Sequence, residues 1–126
     1  MKKRVLIYDD DLEILTVCKL ILEQQNYLVE TRLLCDNIIE DIDKIRPGII
    51  LMDLWIPTIG GEAAIALLNN NKTSVQIPVI LFSANTDVSA IAKRANASGF
   101  LKKPFDISEL LHIIESNIIG QTKSVT

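Results

Sequence analysis

Asp9, Asp10 and Asp11 stand in a row directly behind the apolar run Val5-Leu6-Ile7-Tyr8. A second run, Ile49-Ile50-Leu51-Met52, also ends on an acid, Asp53. A third, Val79-Ile80-Leu81-Phe82, ends on Ser83, and the short Phe100-Leu101 leads into Lys102-Lys103. Brought to one place, these ends offer carboxylates, a hydroxyl and an ammonium, a set that suits a hard divalent cation and a phosphoryl group. Magnesium takes about six oxygen ligands and keeps several waters while using one or two carboxylates. Asp10 and Asp53, from different runs, fit that role, with Asp9 acting through a water and a backbone carbonyl from the loop after Asp53 adding to the share. A carboxylate beside such a cation can attack phosphorus to give an acyl phosphate, its charge offset by the metal. Ser83 can donate a hydrogen bond to one phosphoryl oxygen, and Lys103 can pair with another. Taken singly, each of these residues is ordinary: a strand-end acid, a strand-end hydroxyl, a surface lysine. Asp11 reads as a helix cap, but Asp9 and Asp10 exceed what a solvated turn needs at the end of a buried run.

Elements that would align these ends are legible in the hydropathy. The four runs are continuously apolar, as strands buried on both faces of a parallel sheet are. A fifth segment, residues 28–33, is partly polar and suits a sheet edge. Between the runs lie helical patterns over 12–25, 37–44, 62–70, 88–95 and 107–119. Asp36 and Asp87 stand as N-caps of the second and fourth, and the Asn69-Asn70-Asn71 run closes the third. Asp106 and Glu109 have capping-box spacing at the start of the last, with Gly120 placed to end it. Strands alternating with helices predict an α/β fold, a doubly wound five-stranded parallel sheet with five helices and right-handed crossovers. Ligands in such folds bind beyond the carboxyl ends of the strands, where the residues above fall.

The bulk numbers narrow the class. A chain of 126 residues, 48% apolar and 23% charged, suits one ordinary globular domain, read here as 1–120 with a polar tail or linker start at 121–126. The net charge of −3 argues against direct nucleic-acid binding by phosphate neutralisation. Cys18 and Cys35 form no CxxC motif, and Cys18 falls among the apolar positions of a helix as a small hydrophobe. Lys2, Lys3 and Arg4 resemble the charged start of a signal peptide, but the apolar stretch behind them stops at Asp9. No run reaches the length of a membrane span, so a cytoplasmic location without membrane attachment is expected.

Four motifs in order resemble the receiver domains of two-component response regulators, the CheY-like family. They are Leu6-Ile7-Tyr8-Asp9-Asp10-Asp11, Leu51-Met52-Asp53 with Pro57 and Gly61, Ser83-Ala84, and Lys103-Pro104-Phe105, and they run through residues 4–119. The resemblance implies a strand order of 2-1-3-4-5 and a Mg2+-dependent (or Mn2+-dependent) transfer of a phosphoryl group to Asp53 from a histidine kinase or phosphotransfer protein. It also implies that Asp10 binds the metal directly, Asp9 through water and Trp55 through its backbone carbonyl. Ser83 would shift toward the phosphoryl group, Lys103 would bridge it to the acids, and Phe100 would turn inward as a switch. It further implies a cis bond before Pro104 and an output surface over 88–119 that serves a second copy, a partner or an output domain.

Departures from the family pattern carry their own expectations. The bulk of Trp55 and the side chain of Asn85 would tune the lifetime of the acyl phosphate. Gly60 replaces an acid common in the family, and Asn96 stands where glycine is common. Phe100 lacks a tyrosine's hydroxyl, and the stretch from Ser83 to Phe100 is short. Two rival readings are less well supported. A receiver-shaped interaction module that takes no phosphoryl group leaves the full set of chemical residues unexplained. A nucleotide-binding or phosphatase-like enzyme would need a glycine-rich first turn, or a second acid where Trp55 stands. His112, the single histidine, reads as a surface residue of the last helix.

Overall fold

Valine, leucine and isoleucine, crowded at Cβ or rich in apolar area, dominate the three central strands and leave little there for water to solvate. The computed structural model describes residues 2–56, 60–70 and 77–119. The strands are β1 (Arg4–Tyr8), β2 (Leu28–Arg32), β3 (Ile49–Asp53), β4 (Val79–Ser83) and β5 (Gly99–Lys102). They form one parallel sheet in the order β2-β1-β3-β4-β5. Every residue of β3 and β4 is buried, whereas β2 and β5, at the two edges, keep exposed positions.

Helices cover both faces. They are α1 (Leu12–Gln24), α2 (Ile38–Ile45), α3 (Gly60–Asn70), α4 (Val88–Arg94) and α5 (Ile107–Asn117). Alternate strand residues point to opposite layers. Val5, Ile7, Ile49, Leu51 and Phe82 pack with Leu15 and Leu22 of α1 and Leu110 and Ile114 of α5. Leu6, Tyr8, Ile50, Met52 and Leu81 pack with Ile38 and Ile42 of α2, Ile65 and Leu68 of α3, and Val88 and Ile91 of α4. Cys18 and Cys35 are both free and buried, one in each layer. Among the described residues, no helix is long and apolar enough to cross a membrane.

Helix ends depart from the sequence expectations in instructive ways. Asp106 and Glu109 do form the reciprocal capping box of α5, and Asp11 caps α1 by accepting from the Glu13 N–H at 2.9 Å. Asp36, however, does not cap α2; the N-cap is Asn37, one residue later, without a side-chain bond. Asp87 is the N-cap of α4 by position but makes no capping bond; Asn85 Oδ1 instead accepts the Asp87 N–H at 2.8 Å and shapes the turn. Helix α3 begins at Gly60, two residues before Glu62. Helix α5 stops at Asn117, because Ile118 is extended and the Ile119 N–H donates to Gly48 O at 3.1 Å, drawing the chain toward the start of β3. Gly120, Pro57, Asn71 and the 121–126 tail lie outside the described residues.

Two of the family departures have a backbone explanation. Gly60 has φ +78° and Asn96 has φ +63°, both in the left-handed region that glycine and asparagine tolerate best. Arg94 of α4 forks onto Glu62 of α3, with Nε 3.1 Å and Nη2 3.3 Å from the two carboxylate oxygens. The Asn69 amide adds a bond to Ala95 O at 3.1 Å, so α4, though only seven residues long, is tied to α3.

Candidate functional site

The carboxyl ends of β1, β3 and β4, and the turn leaving β5, deliver the acids, the hydroxyl and the ammonium to one edge of the sheet. At the tip of β1, the Asp9 N–H donates to Arg32 O at 3.2 Å. Asp9 is fully buried, and both its carboxylate oxygens are engaged. Oδ1 accepts the Asp11 N–H at 2.9 Å, and Oδ2 accepts from Lys103 Nζ at 2.8 Å. Asp10, the next residue, is exposed. Two neighbouring acids thus hold different posts: one is built into the fold and one faces solvent.

Asp53 ends β3 with 5% of its surface exposed, and its Oδ1 accepts from Lys103 Nζ at 3.0 Å. One ammonium therefore joins two carboxylates delivered by different strands. Lys103 is held in its turn: its N–H donates to Ser83 O at 2.9 Å, and Nζ sits 4.6 Å from the centre of the Phe82 ring. Phe82 also packs against Phe105, with ring centroids 6.2 Å apart. The Lys103–Pro104 bond is cis. Ser83 is buried at the tip of β4, where its Oγ accepts the Asn85 N–H at 3.1 Å.

Helix α3 must start close behind β3, and Gly61 permits it. A Cβ at Gly61 would fall inside contact distance of the Asp53 carbonyl oxygen, while the Gly61 N–H donates to Leu54 O at 3.1 Å. Leu54 and Ile56 anchor the loop in the core, and Trp55 between them is 67% exposed. Phe100, one strand position before Leu101, is 41% exposed.

The electrostatics are unbalanced toward negative charge. Oxygens of Asp9, Asp10 and Asp53 lie within 4.8 Å of one another, against one ammonium, that of Lys103, paired with them among the described residues. Burial pushes the Asp53 carboxyl up to about 6; the charges of Asp9 and Asp10 add to the rise, and the Lys103 hydrogen bond opposes it. For Lys103, burial acts to lower the pKa, but the hydrogen bonds to Asp9 and Asp53 outweigh it and the net direction is up. A hard cation with oxygen preference fits this donor set, since it would supply the missing positive charge.

Two contributors escaped the sequence reading. Phe82 counted only as an apolar strand residue, yet its ring lies under the Lys103 ammonium. Tyr8 counted as part of an apolar run, yet its buried hydroxyl donates to Asp41 Oδ2 at 2.7 Å. The only signal was the hydroxyl itself, which needs a partner when the ring is buried.

A doubly wound parallel sheet with a carboxylate cluster and a lysine at its carboxyl edge defines the class: an α/β domain with an acidic, oxygen-rich site beyond its strand ends. Residues 5–115 match the model of the response regulator receiver domain, and the chain belongs to that family, one of signalling switches in two-component systems rather than of metabolic enzymes. It is 27% identical over 119 residues to the DNA-binding transcriptional regulator NtrC of Proteus hauseri, covering 93% of this chain and 25% of that protein. It is 29% identical over 120 residues to the nisin biosynthesis regulatory protein NisR of Lactococcus lactis subsp. lactis, covering 94% of this chain and 51% of that one. The chain therefore spans about half or less of these relatives. The chemotaxis protein CheY4 of Vibrio cholerae superposes with a TM-score of 0.85 at 22% identity, covering 94% of this chain and all of that one, a likeness of fold. A CheY-like receiver domain from Methanospirillum hungatei JF-1 superposes with a TM-score of 0.81 at 27% identity, over 92% and 93% of the two chains.

Proposed function

We propose that this receiver accepts a phosphoryl group on Asp53 in a Mg2+-dependent reaction and passes the change to the α4-β5-α5 face. The observation that carries the reading is the sharing of Lys103 between Asp9 and Asp53, at 2.8 and 3.0 Å, beside a third carboxylate. Lys103 holds Oδ1 of Asp53, so Oδ2 is the oxygen presented for attack. It forms the new bond to phosphorus as the bond to the donor's leaving group breaks. Asp10 and Asp53 would hold the metal directly, Asp9 through water, and Trp55 through its carbonyl. Bound there, Mg2+ would supply the positive charge that offsets the crowded carboxylates and the incoming phosphoryl group.

Ser83 would donate its hydroxyl proton to a phosphoryl oxygen, and Lys103 would pair with another. Movement of Ser83 would favour an inward rotamer of Phe100, which is 41% exposed, and so bias a two-state surface. Trp55, exposed beside the acceptor, and Asn85, two residues past Ser83, would set how readily water reaches the acyl phosphate. A histidine kinase or phosphotransfer protein is the expected donor, in keeping with two-component signalling. The cytoplasm is the expected compartment, and a second copy or an output domain the expected reader of the α4-β5-α5 face.

Intact mass after incubation with acetyl phosphate and Mg2+ tests the reading, with Asp53→Asn and metal-free controls. One phosphoryl adduct that needs both Asp53 and the metal is the expected result. No adduct, together with Trp55 fluorescence blind to Mg2+, would instead make the chain a phosphorylation-independent interaction module.

A further inference from the structure

Tyr8 is fully buried, ends β1, and directly precedes the acids. Its hydroxyl donates to Asp41 Oδ2 in α2 at 2.7 Å, and Asp41 Oδ1 lies 3.7 Å from Arg32 Nε. Arg32 is the register partner of Tyr8 in β2, and its backbone oxygen accepts the Asp9 N–H at 3.2 Å. These contacts close a ring: from the Tyr8–Asp9 peptide to the Arg32 backbone, out along the Arg32 side chain to Asp41, and back through the Tyr8 hydroxyl. The ring reaches α2 on one face of the sheet, while the chain beyond Asp11 enters α1 on the other. The strand tip that carries Asp9 and Asp10 is thereby held from both faces.

We propose that Tyr8 and Asp41 are positioning residues for the acidic site, bracing the β1 tip so that Asp9 and Asp10 meet Asp53. The inference rests on the metal-binding reading above. Neither side chain belongs to the carboxylate cluster, so their effect would pass through the placement of the peptide at Asp9. Phenylalanine in place of Tyr8 would keep the ring in the core but remove the hydroxyl that donates to Asp41.

Tyr8→Phe and Asp41→Ala test this, with Ile42→Val as a control that thins the same helix contact without touching the ring. The first readout needs no metal: hydrogen exchange of the Asp9 amide. It should quicken about fivefold or more in Tyr8→Phe and Asp41→Ala, and stay at the wild-type rate in Ile42→Val at equal global stability. The second is the calorimetric Kd for Mg2+, measured well below the melting temperature. It should weaken by about three- to tenfold, less than the 10–100-fold attached to groups that directly support a metal ligand. Unchanged Asp9 exchange, or a Kd within about twofold of wild type, would overturn the brace even where wild type binds metal normally. A wild-type protein with no Mg2+ or Mn2+ signal would reject the metal-binding reading itself, and the positioning role with it.

Discussion

The two halves of the sheet's carboxyl edge are built differently. On the β1–β3 side, Asp9 and Asp53 are buried and share one ammonium, and Tyr8 is tied to α2. On the β4–β5 side, Ser83 is buried at the strand tip, but Phe100 is 41% exposed and α4 is seven residues long. The first half is over-determined by charge and hydrogen bonds. In the second, the edge strand keeps exposed positions, and the short α4 is tied to α3 by an exposed ion pair and one amide bond. A switch needs this contrast, because a rigid site can bias only a neighbour that has a second arrangement within a few kcal/mol.

The largest blow to the fixed half should come from Lys103→Met. It leaves Asp9 and Asp53 facing each other without their shared cation, and urea unfolding should show a loss of about 2–4 kcal/mol at neutral pH. A value near zero would mean that the acids relax into water and that the half is not over-determined.

Gly61→Ala comes next. Its Cβ would press on the Asp53 carbonyl, a backbone atom that cannot step aside, and the same experiment should show a loss of about 1–3 kcal/mol.

Asp53→Asn should act in the opposite direction. The Asp53 carboxyl sits at about 6 in the fold against 3.8 for an ordinary aspartate, so the native state holds its proton more tightly than the unfolded chain. Its ionisation therefore costs native stability as pH rises through about 6, and protonation restores it as pH falls toward 4. The metal-free variant should be more stable than wild type by about 1–2 kcal/mol at pH 8, and the gain should shrink between pH 6 and pH 4. A gain independent of pH would remove the charge-crowding explanation.

The smallest effect belongs to the loose half. Arg94→Ala breaks an exposed pair with Glu62 and should leave the urea midpoint close to that of wild type, with Mg2+ affinity unchanged. A clear drop in the midpoint would make α4 part of the rigid frame and weaken the comparison.

Much of this architecture was legible before folding. Continuous apolar runs located the strands, and the acids behind two of them foretold the carboxylate cluster, because strand ends in a parallel sheet share an edge. The capping box at Asp106 and Glu109 is local chemistry over three residues, and it formed as read. The caps assigned to Asp36 and Asp87 failed because side-chain capping depends on loop geometry that neighbouring packing sets. Gly60 looked like a lost acid until its left-handed backbone supplied a reason for glycine.

The sequence by itself determined the layer order, the buried strands and the set of chemical groups at their ends. All of these follow from hydrophobic periodicity and from chain connectivity, which act over short spans. Tertiary structure alone decided that Asp9 is buried and fully bonded while Asp10 faces water, that Lys103 joins Asp9 and Asp53, and that Tyr8 reaches Asp41. Those contacts join residues 94, 50 and 33 positions apart, and no local pattern encodes them. They exist because a buried charge or hydroxyl must find its partner wherever the packed layers happen to bring one.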